Sequence, residues 1–428
     1  MIKFTTQGTQ ELQLASSQAQ LGKRLGSLQQ QLLANSNSEG NFLGWLHLGS
    51  RQDTALLAKI NSLATQIKSH SQVLVVVGIG GSYLGGQAFL DALVSPFYNQ
   101  LPSHSTPAIY FTGHSLTGED WLDLLALIGE RDWSVNVISK SGTTLEVALA
   151  WRFWRQHLVA RYGEKALKER LVITSDPVEG DLRRFARAKH LATLPIPANV
   201  GGRFSVFTSV GLLPLAVAGV DISSLFSGVA AAEQDLLAKF DFSNPAWQYA
   251  ACRYQAWQVG KRVEVLATYQ TRLQALGQWW QQLFAESEGK NQLGLYPDSI
   301  CYPAALHSLG QYLQQGPQHI LETILYADGD KVVPIPHQGD DGLDYLGGRD
   351  LRWVCEQTAL GVAAAHAQGG VPNLCLKIAD FSPATLGYLG YFFQFSCALS
   401  ALLLGVDPFN QPGVEVYKTQ VKQLLQRQ

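Results

Sequence analysis

An arginine set among glycines and a glutamate at the end of an apolar helix are the residues best equipped for chemistry in this chain. In GGRFSVFTSVG (Gly201 to Gly211) the glycines allow close approach of the backbone to a ligand and set Arg203 beside it. There a planar, permanently charged fork could stabilise a developing oxyanion. In LFAESEGK (Leu283 to Lys290), Glu286 falls near a helix C-terminus. The dipole disfavours negative charge there and tends to raise a carboxyl pKa, a useful direction for a base near neutral pH. The plainer alternatives are an arginine in a surface loop and an ion pair of Glu286 with Lys290 one helical turn on.

Two further segments offer places to hold an anion. VVVGIGGSYLGG (Val75 to Gly86) is a strand running into a glycine-rich turn and then a helix, the place where open α/β sheets bind ligands through backbone N–H groups. It is not a nucleotide motif. After Gly78 and Gly80 the third glycine of G-x-G-x-x-G would be position 83, which is Tyr83, and after Gly80 and Gly85 the Walker lysine would be Gly86. VISKSGTTLE (Val137 to Glu146) presents Ser139, Lys140, Ser141, Thr143 and Thr144 at a second strand-to-helix turn. Thr143 with Glu146 fits a capping box. A cap accounts for two of these residues, whereas the remaining hydroxyls and the lysine could ring a phosphate monoester. LHSLGQYLQQG places His307 near the start of a helix, where a cationic imidazole is mildly disfavoured, and a packed or solvated histidine is the alternative. FNQPGVEVYK carries Gln411 and Lys418 near the C-terminus, and a lysine there is ordinarily a solvated charge.

The elements that must position these residues read as α/β. Val73 to Val77 is a β-branched run suited to a strand buried on both faces of a parallel sheet, and Ser134 to Ile138 and Leu171 to Thr174 repeat the pattern before turns and helices. Strands alternating with helices imply a doubly wound sheet. Residues 1 to about 70, with Leu21, Leu25, Leu28 and Leu32 at helical spacing, are expected as outer helices. The small-residue segment from about 195 to 245 is expected as the crossover into a second unit. That unit has helices near Trp247 to Gln258 and Arg272 to Ala285, and strands near Lys331 to Ile335 and Leu374 to Ile378. At 428 residues two domains are expected. We divide the chain into 65–195, which carries the two anion loops, and 1–64 with 196–428.

Bulk composition narrows the partners. The 32 basic and 34 acidic residues nearly cancel, which argues against a surface for nucleic acid or an anionic membrane. Five scattered cysteines with no C-x-x-C pair suggest neither disulfides nor a zinc site, and with no signal-peptide pattern at the N-terminus a cytoplasmic protein is expected. The charge-free stretch Leu386 to Gly405 is long enough to span a membrane. Gln394, Ser396 and Ser400 interrupt it and no basic cluster flanks it, so a buried core helix is expected.

In this order, GIGGSYLG, VISKSGTT, GGRFSVFTSVG, ESEGK, HSLGQ and NQPGVEVYK resemble the glucose-6-phosphate isomerase family in its shorter bacterial form. The resemblance runs from about Val73 to Lys418. It implies two sugar-isomerase-type αβα domains with parallel-rich sheets and flanking helices, in a homodimer that interconverts glucose 6-phosphate and fructose 6-phosphate. By the same resemblance Ser82, Ser139, Lys140, Ser141 and Thr144 would hold the phosphate, with Gly80, Gly81 and Thr143 shaping the pocket. Glu286 would shuttle a proton between C2 and C1 through a cis-enediol that Arg203 stabilises. His307, supplied by the neighbouring subunit, and Lys418 would assist ring opening, with Gln411 nearby. No metal and no redox cofactor is implied, because the proton moves within one molecule. His114, in FTGHSLTGED, stands where many relatives carry an asparagine-containing stretch, and the first 70 residues match loosely. A non-catalytic sugar-phosphate sensor would not need Arg203, Glu286 and His307, and a nucleotide-dependent oxidoreductase would need the glycine patterns that fail.

Overall fold

The run Val73–Val77 is buried at every position, as a strand covered on both faces must be, and it starts a five-stranded sheet. A computed structural model describes residues 2–426 other than 13, 37–39, 102–104, 330 and 340. Its strands, in chain order, are β1 (Lys3–Gln7), β2 (Val73–Val77), β3 (Ala108–Thr112), β4 (Trp133–Ile138), β5 (Leu171–Ser175), β6 (Ala192–Pro195), β7 (Val263–Thr268), β8 (Tyr296–Cys301), β9 (Ile320–Ala327) and β10 (Asn373–Ile378).

The first sheet has the order β3-β2-β4-β5-β6 and is parallel throughout, with Val77 paired to both Thr112 and Val137. The chain leaves β2 for β3 on one side, then crosses back to lay β4 on the other. That reversal opens a crevice beyond the carboxyl ends of β2 and β4, the place where doubly wound sheets bind ligands. The second sheet, β1-β10-β9-β7-β8, is parallel except for the edge strand β1, which pairs antiparallel with β10.

A shared apolar core lies between the sheets, fed by Leu74 and Val76 from one and Leu266, Leu321 and Leu374 from the other, with separate clusters on the two outer faces. Its centre is the helix Pro383–Leu404, buried along almost its whole length, so the charge-free stretch is a core helix. The neighbouring helix Ile222–Ala238 can lie against it because Gly228 has no side chain: a Cβ there would stand 1.8 Å from the carbonyl oxygen of Ala384.

Three expectations change. Residues 195–245 are not merely a crossover; they include the helix Ser209–Val217, buried at every position, and the helix Ile222–Ala238, whose inner face is buried, because small residues let helices pack closely. Residues 331–335 form no strand: Pro334 lacks the ladder N–H, Val332 and Val333 are exposed, and the strand lies upstream as β9, buried at every residue. The N-terminal segment opens with β1, whose polar KFTTQ sequence suits an exposed edge, before the helices Leu14–Asn35 and Thr54–His70.

Candidate active site

The crevice between β2 and β4 is walled by both anion loops. After β2 the chain makes a single tight turn, Gly80–Ser82, and enters the helix Leu84–Leu93. After β4 it turns through Ser139–Thr144 into the helix Leu145–Tyr162. Two helix N-termini therefore point at the same opening, and their unsatisfied N–H groups and positive dipole ends favour an anion. Ser139 is buried and its Oγ accepts from the Gly142 N–H at 3.0 Å; Ser141 Oγ accepts from the Thr143 N–H at 3.1 Å and lies 2.9 Å from Thr143 Oγ1. The expected capping box of Thr143 and Glu146 does not form. The N-cap is Thr144, one residue later, and its side chain makes no capping bond. Lys140 is exposed and donates to the Ala198 carbonyl at 2.9 Å, tying this loop to the segment that leads into Arg203.

That segment touches the glycine turn directly. A Cβ on Gly81 would stand 2.2 Å from the carbonyl carbon and oxygen of Gly202, and Ser205 Oγ donates to the carbonyls of both Gly81 (3.2 Å) and Gly202 (2.7 Å). Only a glycine admits this approach, which sets the short helical turn Gly202–Phe207 against Gly80–Ser82.

Arg203 is 2% exposed, and all five of its N–H donors are engaged. Nε donates to Ser287 Oγ at 2.8 Å; Nη1 to Glu286 Oε2 at 3.2 Å and Gln411 Oε1 at 3.4 Å; Nη2 to the carbonyls of Pro408 and of Asn410, the latter at 3.1 Å. Burial lowers its pKa, with Glu286 the largest opposing influence, and an arginine stays charged regardless. Glu286, on the last turn of helix Gln274–Glu288, is partly exposed and takes a second bond at 2.8 Å from Gln282 Nε2. It does not pair with Lys290 as the helix spacing alone allowed. Lys290 instead donates to the carbonyls of Ser287, at 3.0 Å, and Asp407.

Three contributors were not singled out in the sequence. Gln282 sits one turn before Glu286, with its Oε1 buried and without a partner among the described residues, and Gly80 lies against its Nε2. The i,i+4 spacing of Gln282 and Glu286 was the available signal. Ser287 and Lys290 lie within the ESEGK motif, but only their contacts reveal what they hold. The end of the same helix is pinned by a buried pair, Glu288 to Arg253 at 2.7 Å, and Arg253 also meets Glu264.

His307 and Lys418 are not gathered into this arrangement. His307 is exposed on the first turn of the helix Leu306–Gln315, and no hydrogen bond or ion pair among the described residues engages its imidazole. Lys418 is exposed on the helix Pro412–Leu425, where it meets Glu415 at 2.9 Å. His114 stacks on Tyr83 with ring centroids 4.4 Å apart and 9° between planes. Both line a cavity of about 330 Å³ with Gln87, Asp91 and Gln278, beside the glycine turn but apart from Arg203 and Glu286. Burial lowers the pKa of His114 and raises that of Asp91 to about 6.

The phosphoglucose isomerase family model matches residues 56–337 of this chain. A glucose-6-phosphate isomerase from Levilactobacillus brevis is 44% identical over 400 residues, covering 92% of this chain and 89% of that protein. One from Alkaliphilus metalliredigens is 42% identical over 410 residues, covering 95% and 91%. Among solved structures, a hypothetical protein from Thermus thermophilus superposes with a TM-score of 0.88 at 30% identity, over 99% of this chain and 100% of that one. A glucose-6-phosphate isomerase from Chlamydia trachomatis gives 0.78 at 20% identity over 95% and 85%, a likeness of fold.

Proposed function

The chain belongs to the phosphoglucose isomerase family, and from that membership we propose both its reaction and the residues that carry it. The protein interconverts glucose 6-phosphate and fructose 6-phosphate. One observation supports the assignment of its machinery above all others: Arg203 and Glu286, far apart in sequence, meet at 3.2 Å beside the turn formed by Gly80–Ser82.

The phosphate sits in the crevice between β2 and β4. Ser82, Ser139, Lys140, Ser141 and Thr144 hold it, and Gly80, Gly81 and Thr143 shape the pocket, in a cleft between residues 65–195 and the remainder. The anchored sugar presents C1 and C2 to Glu286. The carboxylate takes the proton from C2, the C–H electron pair becomes the C1=C2 bond, and the carbonyl oxygen acquires negative charge. A proton passes between the two oxygens, the carboxylic acid returns its proton to C1, and the C2 carbonyl forms.

An α-hydroxy carbonyl proton is weakly acidic, so the step requires fixed positive charge at the enediolate oxygens. Arg203 supplies it. Its two longest bonds are those of Nη1 to Glu286 and Gln411, and a substrate oxygen replaces the Gln411 amide there while the other three donors keep the guanidinium fixed. Losing one such stabiliser commonly costs about 3 kcal/mol, on the order of a hundredfold in rate.

Ring opening falls to His307 and Lys418. We assign His307 to the site of a second copy in a homodimer. The exposure of its imidazole, together with exposed Leu309 and Tyr312 on the same helix, supports that reading.

The test is an assay with fructose 6-phosphate and coupled detection of glucose 6-phosphate, run beside Glu286→Gln. The variant is expected to fold and bind sugar phosphate while failing to exchange the C2 proton of glucose 6-phosphate with solvent. Retained exchange would remove Glu286 from its role.

A further inference from the structure

The residues after the core helix form a strap that crosses the end of the helix bearing Glu286. Phe409 seats it in an aromatic cluster, with ring centroids 5.6 Å from Phe204 and 6.5 Å from Trp45. Two cations hold its backbone. Arg203 takes the carbonyls of Pro408 and Asn410, and Lys290 takes that of Asp407. The strap ends in Gln411, which faces Arg203, and continues into the helix Pro412–Leu425 that carries Lys418. We propose that Lys290 is a positioning residue of the isomerisation: its ammonium staples the strap to the last turn of helix Gln274–Glu288, keeping Arg203 and Gln411 in register with Glu286. The inference rests on the isomerase reading of this site.

The staple joins two things the reaction needs in fixed relation. One bond of Lys290 goes to Ser287, whose hydroxyl accepts from Arg203 Nε, and the other goes to the strap that closes over the same guanidinium. A cation suits the position because the carbonyls of a helix C-terminus carry negative dipole. The surroundings also weaken it. The groups facing Lys290 are Arg203 on its short helical turn, Glu286 on the adjoining helix, Asp407 on the strap and Cys397 on the core helix. Burial first and Arg203 second lower the Lys290 pKa to about 8, while Asp407, Cys397 and Glu286 act in the opposite direction. The sign follows directly: the ammonium is charged below about pH 8 and loses its charge as pH rises through that value. The neutral amine still donates, but without the charge that makes such bonds roughly twice as strong.

The test compares pH profiles of kcat/KM for fructose 6-phosphate in the wild type, Lys290→Arg and Lys290→Met. The wild type should lose activity above about pH 8. In Lys290→Arg that descent should move upward by at least about one pH unit, because guanidinium stays charged. Lys290→Met should lack the descent and show kcat lowered on the order of tenfold at pH 7 with a smaller change in KM. At one fixed pH its backbone amides from 406 to 425 should exchange faster while those of 202–208 do not. An unchanged descent in both variants, or wild-type kcat in Lys290→Met, overturns the proposal. If Lys290→Arg does not fold, the Lys290→Met profile and the exchange comparison decide. Absence of isomerase activity in the wild type would instead remove the underlying function.

Discussion

Arg203 does two jobs through one side chain. Three of its donors lock Ser287 and the strap carbonyls, and the remaining two face Glu286 and Gln411, so the same contacts that bury the charge also aim it. Glu286 and Arg203 stood out in the sequence because a carboxylate in the last turn of a helix, where the dipole disfavours it, and an arginine among glycines are unusual in type and setting. Gln282, Ser287 and Lys290 were not, since their roles consist entirely of which atoms they touch. Lys418 is the opposite case: prominent in the motif, yet among the described residues it meets exposed Glu415. An exposed ion pair of that kind holds a side chain weakly, which is compatible with the proposed part of Lys418 in ring opening. Lys418→Ala is expected to reduce the rate more with cyclic than with open-chain sugar phosphate, measured under single-turnover conditions with each form. Equal reductions would exclude a part in ring opening.

At the scale of elements, the site depends on a contact between two backbones. The turn Gly80–Ser82 and the turn Gly202–Phe207 belong to distant stretches of chain, and Gly81 is where they meet. Gly81→Val must push Gly202 and thus Arg203 away from the turn Gly80–Ser82. The expected result is a higher KM for fructose 6-phosphate and a loss of about 1–3 kcal/mol in stability by urea unfolding, the usual cost of overpacking. Wild-type values in both measurements would show that the contact is not needed. The strands that flank the site were readable where both faces are buried, as in β2, β4 and β5. The edge strand β1 was not, because its partner β10 lies at the far end of the chain and its own sequence is polar.

At the scale of the whole molecule, one chain brings Arg203 and Glu286 together but leaves His307 on the surface. The proposed dimer makes this a matter of subunit exchange. Mixing Glu286→Gln with His307→Ala protein, each nearly inactive alone, should restore about a quarter of wild-type activity after subunits redistribute, since half the dimers are then mixed and each contains one intact site. No recovery, with exchange verified by native mass spectrometry, would return His307 to the site of its own chain. The sequence by itself determined the α/β class, the buried helix Pro383–Leu404 and the residue types of the site, because these follow from local periodicity and from side-chain chemistry. Only the tertiary structure decided that Arg203 faces Glu286, that the 407–411 strap closes over them, and that the helix Ser209–Val217 and the inner face of Ile222–Ala238 are core. Those facts depend on contacts between segments separated along the chain, which form when strand order, helix crossing and close backbone approach are satisfied together.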